Sequence, residues 1–555
     1  MKLTPKYLLS VFVFVLLCAF FVIPASAATD DGTGMFVGGV AVTDENRSDI
    51  LGDGTASFDP ETLTLTLKNY KAEGVVRTDD GGKASENALS VYTGVGSSAI
   101  TVKITGDCYF PGGVVNVIGK IVVEDAKVTF GPSVPTCLFA RNGAIDIVDS
   151  EIKMQGVNFL SPIFGAGNMS IGFFASEIGA KNSRFTLDID SCEAYNLNRI
   201  DALFCAVETA VFDGCRFKVD TPFPVFRTLF QAYNDSLMFH DCRLNLSGQM
   251  YCFLAGGNPE AEEEDLPSDP KKGAVWLDSC RVKVKNSYYL LGGSTFQIHN
   301  SKIKASLYRG GCIMAGKNEN YHNLFKDSRI TFKMLSLEDM KKGIWKPYWD
   351  AMTEQDQAVY GSFTAFALAS EQSEAEHPTD TFGVFVQNGT TYFETSRITV
   401  KGFDYGFFAL GKSIVKCMEG AYLHLAAEHS AFVLFSIYDD PFQHDIDVSF
   451  GANEGSELSL PMGTDTQAVG TRLYGIVKKG ERLILSEEKA FSSVGEVLSV
   501  AEGNLQEIKL LSEGAYNPAT VGVLVGAGVT VVLLGAIYLL FVYKKHPKQQ
   551  DEPQS

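Results

Sequence analysis

The sequence predicts an all-β protein: a right-handed parallel β-helix with a short helical excursion and one C-terminal transmembrane helix. Three observations support this fold class, namely a recurring short motif, apolar–polar alternation after each copy, and variable spacing between copies. In each copy a small residue precedes a residue that is usually charged, and an alternating strand pattern follows. The copies begin at Ala126, Ser150, Ser183, Cys215, Cys242, Cys280, Ser301, Ser328 and Ser396.

Asp or Asn precedes most copies of the motif, as at Asp149, Asn182 and Asp327. These residues favour turns, so each copy predicts a strand, a turn and a second half-buried strand. One such unit cannot bury its apolar face alone, whereas stacked neighbours bury a continuous one. Elastic spacing favours a right-handed β-helix over a left-handed one built on rigid hexapeptides, and over a propeller with blades of roughly 40 residues.

The small residue of each motif is expected to point inward, in one column with its counterparts. On this interpretation the thiols of Cys215, Cys242 and Cys280 are stacked, buried and unreactive. Disulfide bonds between adjacent repeats are the alternative. With 11 cysteines in 555 residues, the chain is far below the cysteine content of a disulfide scaffold.

The N-terminus, residues 1–27, has the pattern of a secretory signal peptide. Lys2 and Lys6 precede a long apolar run, and residues 25–27 read Ala-Ser-Ala, which predicts cleavage before Ala28. An uncleaved membrane anchor is the alternative. The region predicted to be exported, residues 28–515, forms the β-helix ectodomain.

A second apolar segment, residues 521–543, contains no charged residue and is long enough to span a bilayer as a helix. Lys544 and Lys545 follow it directly, and basic residues stay on the cytoplasmic side. The sequence therefore predicts a single-pass cell-surface protein with a short cytoplasmic tail, residues 544–555.

The segment before this span offers a different mode of attachment. Asn517, Pro518, Ala519 and Thr520, followed by an apolar run and a basic tail, resemble the NPxT-type cell-wall sorting signal of Gram-positive bacteria. The resemblance implies that a sortase cuts after the threonine and links the protein to peptidoglycan. Val521 departs from that pattern, because such signals usually carry Gly or Asn there.

The start of the predicted ectodomain carries a further resemblance. Residues 35–43, 52–60 and 63–67 combine short strand and turn pieces, and they look like the leader of many secreted clostridial surface proteins. That resemblance covers about 40 residues. It implies a Gram-positive source and a β-helix region of the kind grouped as carbohydrate-binding.

The repeat lapses between Ser328 and Ser396, where residues 336–372 are predicted to be helical. Residues 336–339 read Ser-Leu-Glu-Asp, which is typical of a capping box. Trp345, Tyr348 and Trp349 follow at a spacing that puts them on one helix face. Aromatic rings provide contact area for sugars, so these three residues are a candidate glycan platform. The alternative is that they anchor the helices to the stack.

The net charge of −19 argues against nucleic acid and anionic lipid as partners. Polyanionic sugars are equally disfavoured unless cations or local Lys/Arg patches intervene. The acidic run Glu260–Asp265 is interpreted as a solvated loop, with a weak Ca²⁺ site as the alternative, and no cofactor is otherwise expected.

The function predicted from these features is a cell-surface glycan-binding or adhesive protein whose partner is a polysaccharide or a glycan of a host or neighbouring surface. No catalytic or metal-binding residues are predicted: Asp79–Asp80 and the cluster from Asp439 to Asp447 are interpreted as turns or loops. The alternatives are a membrane-attached polysaccharide lyase or hydrolase of the pectate-lyase-like β-helix class, and a non-binding structural stalk.

Overall fold

The computed structural model describes residues 34–77, 88–93, 99–132, 134–156, 171–188, 200–221, 226–256, 273–315, 321–376, 380–417, 422–435, 457–459, 472–479, 481–484 and 505–511. These residues form mainly β-strands, most of them paired in parallel, and the helices among them lie between Leu337 and Glu376. The predicted all-β class with parallel strand pairing is therefore confirmed.

Thirty-two strands account for most of the described residues. The first half comprises β1 Met35–Val37, β2 Val40–Ala41, β3 Ala56–Asp59, β4 Thr64–Lys68, β5 Val76–Arg77, β6 Ala88–Thr93, β7 Ile100–Phe110, β8 Gly113–Phe130, β9 Leu138–Val148, β10 Glu151–Met154, β11 Ile171–Lys181, β12 Arg184–Asp188, β13 Ile200–Ala206, β14 Ala210–Asp213, β15 Arg216–Asp220 and β16 Phe226–Ala232. The second half comprises β17 Leu237–His240, β18 Arg243–Ser247, β19 Gln249–Ala255, β20 Ala274–Asp278, β21 Arg281–Gly293, β22 Thr295–His299, β23 Lys302–Ala315, β24 His322–Lys326, β25 Arg329–Met334, β26 Phe382–Glu394, β27 Arg397–Cys417, β28 Tyr422–Phe435, β29 Glu457–Ser459, β30 Arg472–Lys479, β31 Glu481–Ile484 and β32 Leu505–Leu511.

Successive repeats align their strands in three columns of parallel pairs. Column A contains β10, β12, β15, β18 and β25, with the first parts of β21, β23 and β27. Column B contains β14, β17, β20, β22 and β24, with the last part of β11. Column C contains β13, β16 and β19, with the first part of β11 and the last parts of β21 and β23. Each repeat runs through C, B and A in that order.

A single residue in the left-handed conformation joins column B to column A. The residues at this corner include Asp149 (φ 47°), Asn182 (49°), Asp241 (47°), Ser279 (57°), Asn300 (45°), Asp327 (50°) and Thr395 (46°). Asp and Asn tolerate this region because their short polar side chains bond locally, whereas a β-branched residue is strained there. The corner therefore explains why the motif is usually preceded by Asp or Asn.

The small residue after each corner points inward, and the copies form one column as predicted. The Ser150 backbone N–H donates to Ser183 Oγ at 3.1 Å, and the Ser301 N–H donates to Ser328 Oγ at 3.0 Å. Cys215, Cys242 and Cys280 occupy the same position and are buried thiols rather than disulfides. Contact with the Cys242 thiol, together with burial, raises the pKa of Cys215. The prediction of stacked, buried thiols is confirmed.

Stacked phenylalanines fill the interior between the columns. Phe173, Phe204, Phe230 and Phe253 hold successive inward positions of column C, with ring centroids 4.5, 5.1 and 5.5 Å apart. All four side chains are fully buried. Burying one such ring contributes roughly 1.5–3 kcal/mol, so this row stabilises the stacking of repeats.

The predicted helical excursion comprises α1 Leu337–Met340, a π-helical turn Lys341–Trp345, α2 Lys346–Ala351, α3 Glu354–Tyr360 and α4 Phe363–Glu376. The Asp339 N–H donates to Ser336 Oγ at 3.2 Å, and the Ser336 N–H donates to Asp339 Oδ2 at 3.0 Å. The predicted capping box is therefore confirmed. The helices extend to Glu376, beyond the predicted end at residue 372, and they connect column A of one repeat to column C of the next.

Antiparallel pairs occur at both ends of the described strands: β3 pairs with β4 near the N-terminus, and β30 pairs with β31 and β32 near the C-terminus. Within the described ranges, no helix has the length and apolar character needed to cross a membrane. The predicted signal peptide 1–27, the predicted span 521–543 and the tail 544–555 lie outside those ranges.

Candidate functional site

The outer face of column A carries a continuous row of basic side chains. Each motif contributes the residue directly after its small position, and the strand register places these residues opposite one another. We call this row the basic ladder; it comprises Arg184, Arg216, Arg243, Arg281, Lys302, Arg329 and Arg397. Since neighbouring strands lie about 4.8 Å apart, the ladder extends over roughly 29 Å.

The ladder is exposed because of strand alternation. In β18, Arg243 points outward while Leu244 and Leu246 are buried in the core, and β15 repeats this arrangement with Arg216 outside and Phe217 inside. The first six ladder residues are exposed, and Arg397 is half-buried. Rigid strands with a buried inner face thus hold the basic groups in a straight line.

Within the described part of the chain, the ladder residues from Arg184 to Lys302 form no ion pairs with neighbouring carboxylates. Like charges on directly opposed residues destabilise a sheet. The arrangement therefore costs stability, in a protein whose overall charge is strongly negative.

In column B, outward-facing charged residues on neighbouring strands form pairs of opposite charge. Its outward row places Asp213, His240 and Asp278 in register, with alternating acidic and basic character. His240 Nδ1 lies 2.8 Å from Asp213 Oδ1, and this hydrogen bond raises the pKa of His240. Farther along, Lys326 Nζ donates to Glu394 Oε1 at 2.7 Å. Charge compensation between neighbouring strands is thus available to this architecture, and the described ladder residues from Arg184 to Lys302 form no such ion pair.

A shallow groove follows the central part of the ladder. It has a volume of about 320 Å³, and apolar atoms contribute more of its exposed lining than polar atoms do. The lining residues are Arg184, Thr186, Arg216, Phe217, Lys218, Arg243, Leu244, Asn245 and Arg281. Thr186, Lys218 and Asn245 form a second row beside the ladder, two residues farther along each strand. The groove therefore offers cationic groups and neutral hydrogen-bonding groups side by side.

A second groove marks the acidic end of column A. It is lined by Asp125, Asp149 and Glu151 together with Lys127 and Arg184. Glu151 occupies the ladder position of β10, so the uninterrupted positive row begins one strand later, at Arg184. The site thus has a defined boundary on this side.

The three aromatic residues of the predicted glycan platform have different environments. Trp345 is 6% exposed and belongs to the main hydrophobic core, so its ring contributes to packing. Tyr348 stacks on Phe366 with centroids 5.9 Å apart, and Trp349 lies 5.7 Å from the same ring. Tyr348 and Trp349 remain half-buried. The helices thus hold Tyr348 and Trp349 against Phe366, and these two of the three rings are only partly buried.

Several predicted features lie outside the described residues: the Asp79–Asp80 pair, the acidic run Glu260–Asp265, the cluster from Asp439 to Asp447, and the sorting-like residues Asn517, Pro518, Ala519 and Thr520. Within the part of the chain that the structure describes, no three metal-ligating side chains converge. Comparison with known proteins gave no match to a family model, a curated protein or a solved structure.

The sequence analysis did not predict the basic ladder, although the ladder residues belong to the repeated motif. In the sequence, the recurrence of Arg or Lys after the small residue identifies the repeat but does not show that these side chains are neighbours in space. Net charge, which averages over the chain, concealed the local concentration of positive groups. The signal that reveals the ladder is the combination of a fixed position in the motif with in-register stacking, because identical positions then become spatial neighbours.

Proposed function

We propose that this protein binds a polymeric glycan at the cell surface and that the polymer lies along the basic ladder. The observation that supports this is repetition: the same type of side chain recurs at one spacing over seven consecutive strand positions. A repeating surface is complementary to a ligand that itself repeats. Each single contact at an exposed site is weak, and many contacts along one chain combine into useful affinity.

The fold that fits this proposal is a right-handed parallel β-helix. The three columns of parallel pairs and the C, B, A order support it, and parallel strand connections in proteins are right-handed in about 98% of cases. In such a fold every repeat adds one rung to the ligand-binding face. The length of the binding site would then follow from the number of repeats.

The proposed place of action is the outside of the cell. The signal-like residues 1–27 and the apolar segment 521–543 support export followed by membrane attachment, with sortase linkage through Thr520 as the alternative. The resemblance to clostridial surface proteins also supports a surface role. Fractionation of cells with and without an Asn517→Ala substitution would distinguish membrane attachment from peptidoglycan linkage.

The test of glycan binding uses the full-length protein and glycans of increasing length. If the ladder is the site, affinity rises with each added sugar until the chain covers the ladder, and single sugars bind weakly. The Arg216→Gln/Arg243→Gln/Arg281→Gln variant should lose most of this affinity. The matched control is Lys68→Gln/Lys181→Gln/Arg227→Gln, which removes three exposed cations that lie outside column A.

Two results would oppose the proposal. Affinity that does not depend on glycan length would exclude a repeating site, and equal losses in the ladder and control variants would place binding elsewhere. Reducing ends and unsaturated ends should be measured in the same samples. Their release would instead support the polysaccharide lyase or hydrolase alternative.

A further inference from the structure

This inference rests on the proposed glycan-binding function: we propose that the ligand is an acidic polysaccharide whose carboxylate or sulfate groups recur along the basic ladder. The polymer would run across the strands, along the line from Arg184 to Arg329. This assigns the chemical class of the ligand, which neither the net charge nor the aromatic residues of the helices indicate.

The geometry of the ladder supports an anion on each repeating unit. Neighbouring rungs are about 4.8 Å apart, a distance similar to the advance of a polysaccharide chain per sugar residue. Arginine holds most of the rungs, and its planar guanidinium group binds a carboxylate or sulfate through two parallel N–H···O bonds. Because the strands are fixed by the core, the groups are arranged before the ligand arrives, which lowers the entropic cost of binding.

The corner residues beside the groove are also less acidic than those at the N-terminal end of column A. The corner residues beside the central rungs of the ladder include Asn182, Gly214 and Ser279, which carry no charge, and Asp241 is the acidic exception. Toward the N-terminus the corners become acidic, at Asp125 and Asp149. An anionic chain is therefore attracted to the central section and repelled beyond its N-terminal end.

The negative charge of the whole protein does not prevent this interaction. At physiological ionic strength the screening length is about 8 Å, so a ligand in the groove responds mainly to the ladder and its immediate neighbours. The acidic remainder of the surface limits non-specific binding of polyanions elsewhere on the protein. The inference is thus consistent with the net charge of −19, which argued against polyanions only in the absence of a local basic patch.

The second row favours a glycan over a nucleic acid. Proteins that bind single-stranded nucleic acids combine basic grooves with aromatic side chains on which bases stack. Among the described outward positions of column A from Lys127 to Lys401 there is no aromatic residue. Thr186 and Asn245 instead provide neutral donors and acceptors suited to sugar hydroxyl groups. The combination of charged and neutral polar groups fits a hydroxyl-rich polyanion.

The experiment compares a polymer with its uncharged form. Full-length protein is titrated with polygalacturonate, with the methyl ester of the same polymer, with heparin and with inorganic polyphosphate, each at low and at physiological salt. We expect polygalacturonate or heparin to bind at least about tenfold more tightly than the methyl ester, with an affinity that decreases steeply as salt increases. The triple ladder variant should lose about tenfold in affinity and show a weaker salt dependence, and the triple control variant should behave like the wild type.

The outcomes separate this inference from the proposed function. If the methyl ester binds as tightly as the acid and the ladder variant weakens both, glycan binding at the ladder stands and the acidic class is wrong. If polyphosphate binds as tightly as the acidic glycans, charge alone is recognised and the glycan class is wrong. If none of the polymers binds, the acidic class is overturned, and a length series of neutral glycans then decides the proposed function. Thermal unfolding of each variant establishes that it is folded.

Discussion

Arg243 and Arg281 are direct partners in neighbouring parallel strands, and both side chains are exposed. In column B the equivalent neighbours His240 and Asp213 are joined by a hydrogen bond of 2.8 Å. The two columns belong to the same repeats, so the difference does not arise from the fold. If the ligand is the acidic polysaccharide inferred above, its anionic groups relieve the electrostatic repulsion between the ladder residues of column A.

A charge reversal in the ladder should therefore separate stability from binding. Arg243→Glu places a carboxylate between Arg216 and Arg281, and we expect it to stabilise the protein by about 0.2–1 kcal/mol, measured by urea unfolding. Binding of polygalacturonate should decrease in the same variant. Arg243→Gln is the control, since it removes the repulsion without adding an attraction. Its free energy of unfolding should lie between those of the wild type and Arg243→Glu. A carboxylate variant less stable than the glutamine variant would contradict the repulsion argument.

The corner residue Thr395 should be a site of stored strain. It is a β-branched residue at φ 46°, where most equivalent corners carry Asp or Asn. We expect Thr395→Asn to raise the free energy of unfolding by roughly 0.5–1.5 kcal/mol, because the new side chain tolerates the left-handed conformation. The reverse exchange, Asn300→Thr, should lower it by a similar amount. Unchanged denaturation midpoints in both variants would show that this corner relaxes without cost.

The thiols of Cys215, Cys242 and Cys280 should be inert in the native protein. Burial removes them from reagents, and the raised pKa of Cys215 and Cys242 keeps the reactive thiolate form scarce. We expect alkylation followed by peptide mass spectrometry to label them only after unfolding. Rapid labelling of Cys242 under native conditions would contradict the stacked arrangement.

Because serine occupies the same position in other repeats, Cys242→Ser is the matched substitution. The neighbouring Ser301 Oγ accepts the Cys280 N–H at 3.0 Å, which shows that a hydroxyl is compatible with this column. We expect Cys242→Ser to retain the fold, whereas Cys242→Leu should destabilise it by about 1–3 kcal/mol through overpacking.

The pair of His240 and Asp213 should make stability depend on pH in a known direction. The pKa of His240 is raised in the folded state, so its stabilising contribution is complete below the ordinary histidine pKa of about 6.5. That contribution is lost as the pH rises through the raised value. Thermal unfolding between about pH 5.5 and 8.5 should show this loss, and His240→Gln should remove it. The effect should be modest and reduced by salt, since both side chains are half-exposed.

The inward column could be predicted from the sequence because its signal is local and repeated. A residue such as Ser183 or Cys215 is small, follows a turn-former and precedes an alternating strand, and each of these properties is visible without the structure. The capping box at Ser336 was predictable for the same reason. Such features depend on a few adjacent residues, and stacking changes none of them.

Other features depend on contacts between distant parts of the chain and were not predictable in this way. The π-helical turn Lys341–Trp345 and the extension of the helices to Glu376 have no distinct local pattern. The burial of Trp345 depends on the core beneath the helices. The basic ladder itself exists only once the register between repeats is known, because Arg216 and Arg243 are 27 residues apart in the chain.

The backbone N–H of Ser328 donates a hydrogen bond to Oγ of Ser396, which lies 68 positions farther along the chain. The equivalent hydrogen bond from the Ser301 N–H to Ser328 Oγ spans a much shorter connection, yet its length is the same, 3.0 Å. The link from column A to the following column C is therefore a permissive insertion point, where the chain accommodates an added module while strand register is preserved. Lineages of this architecture could gain new appendages there one at a time, and an engineer could graft a reporter or a second binding domain at the same place.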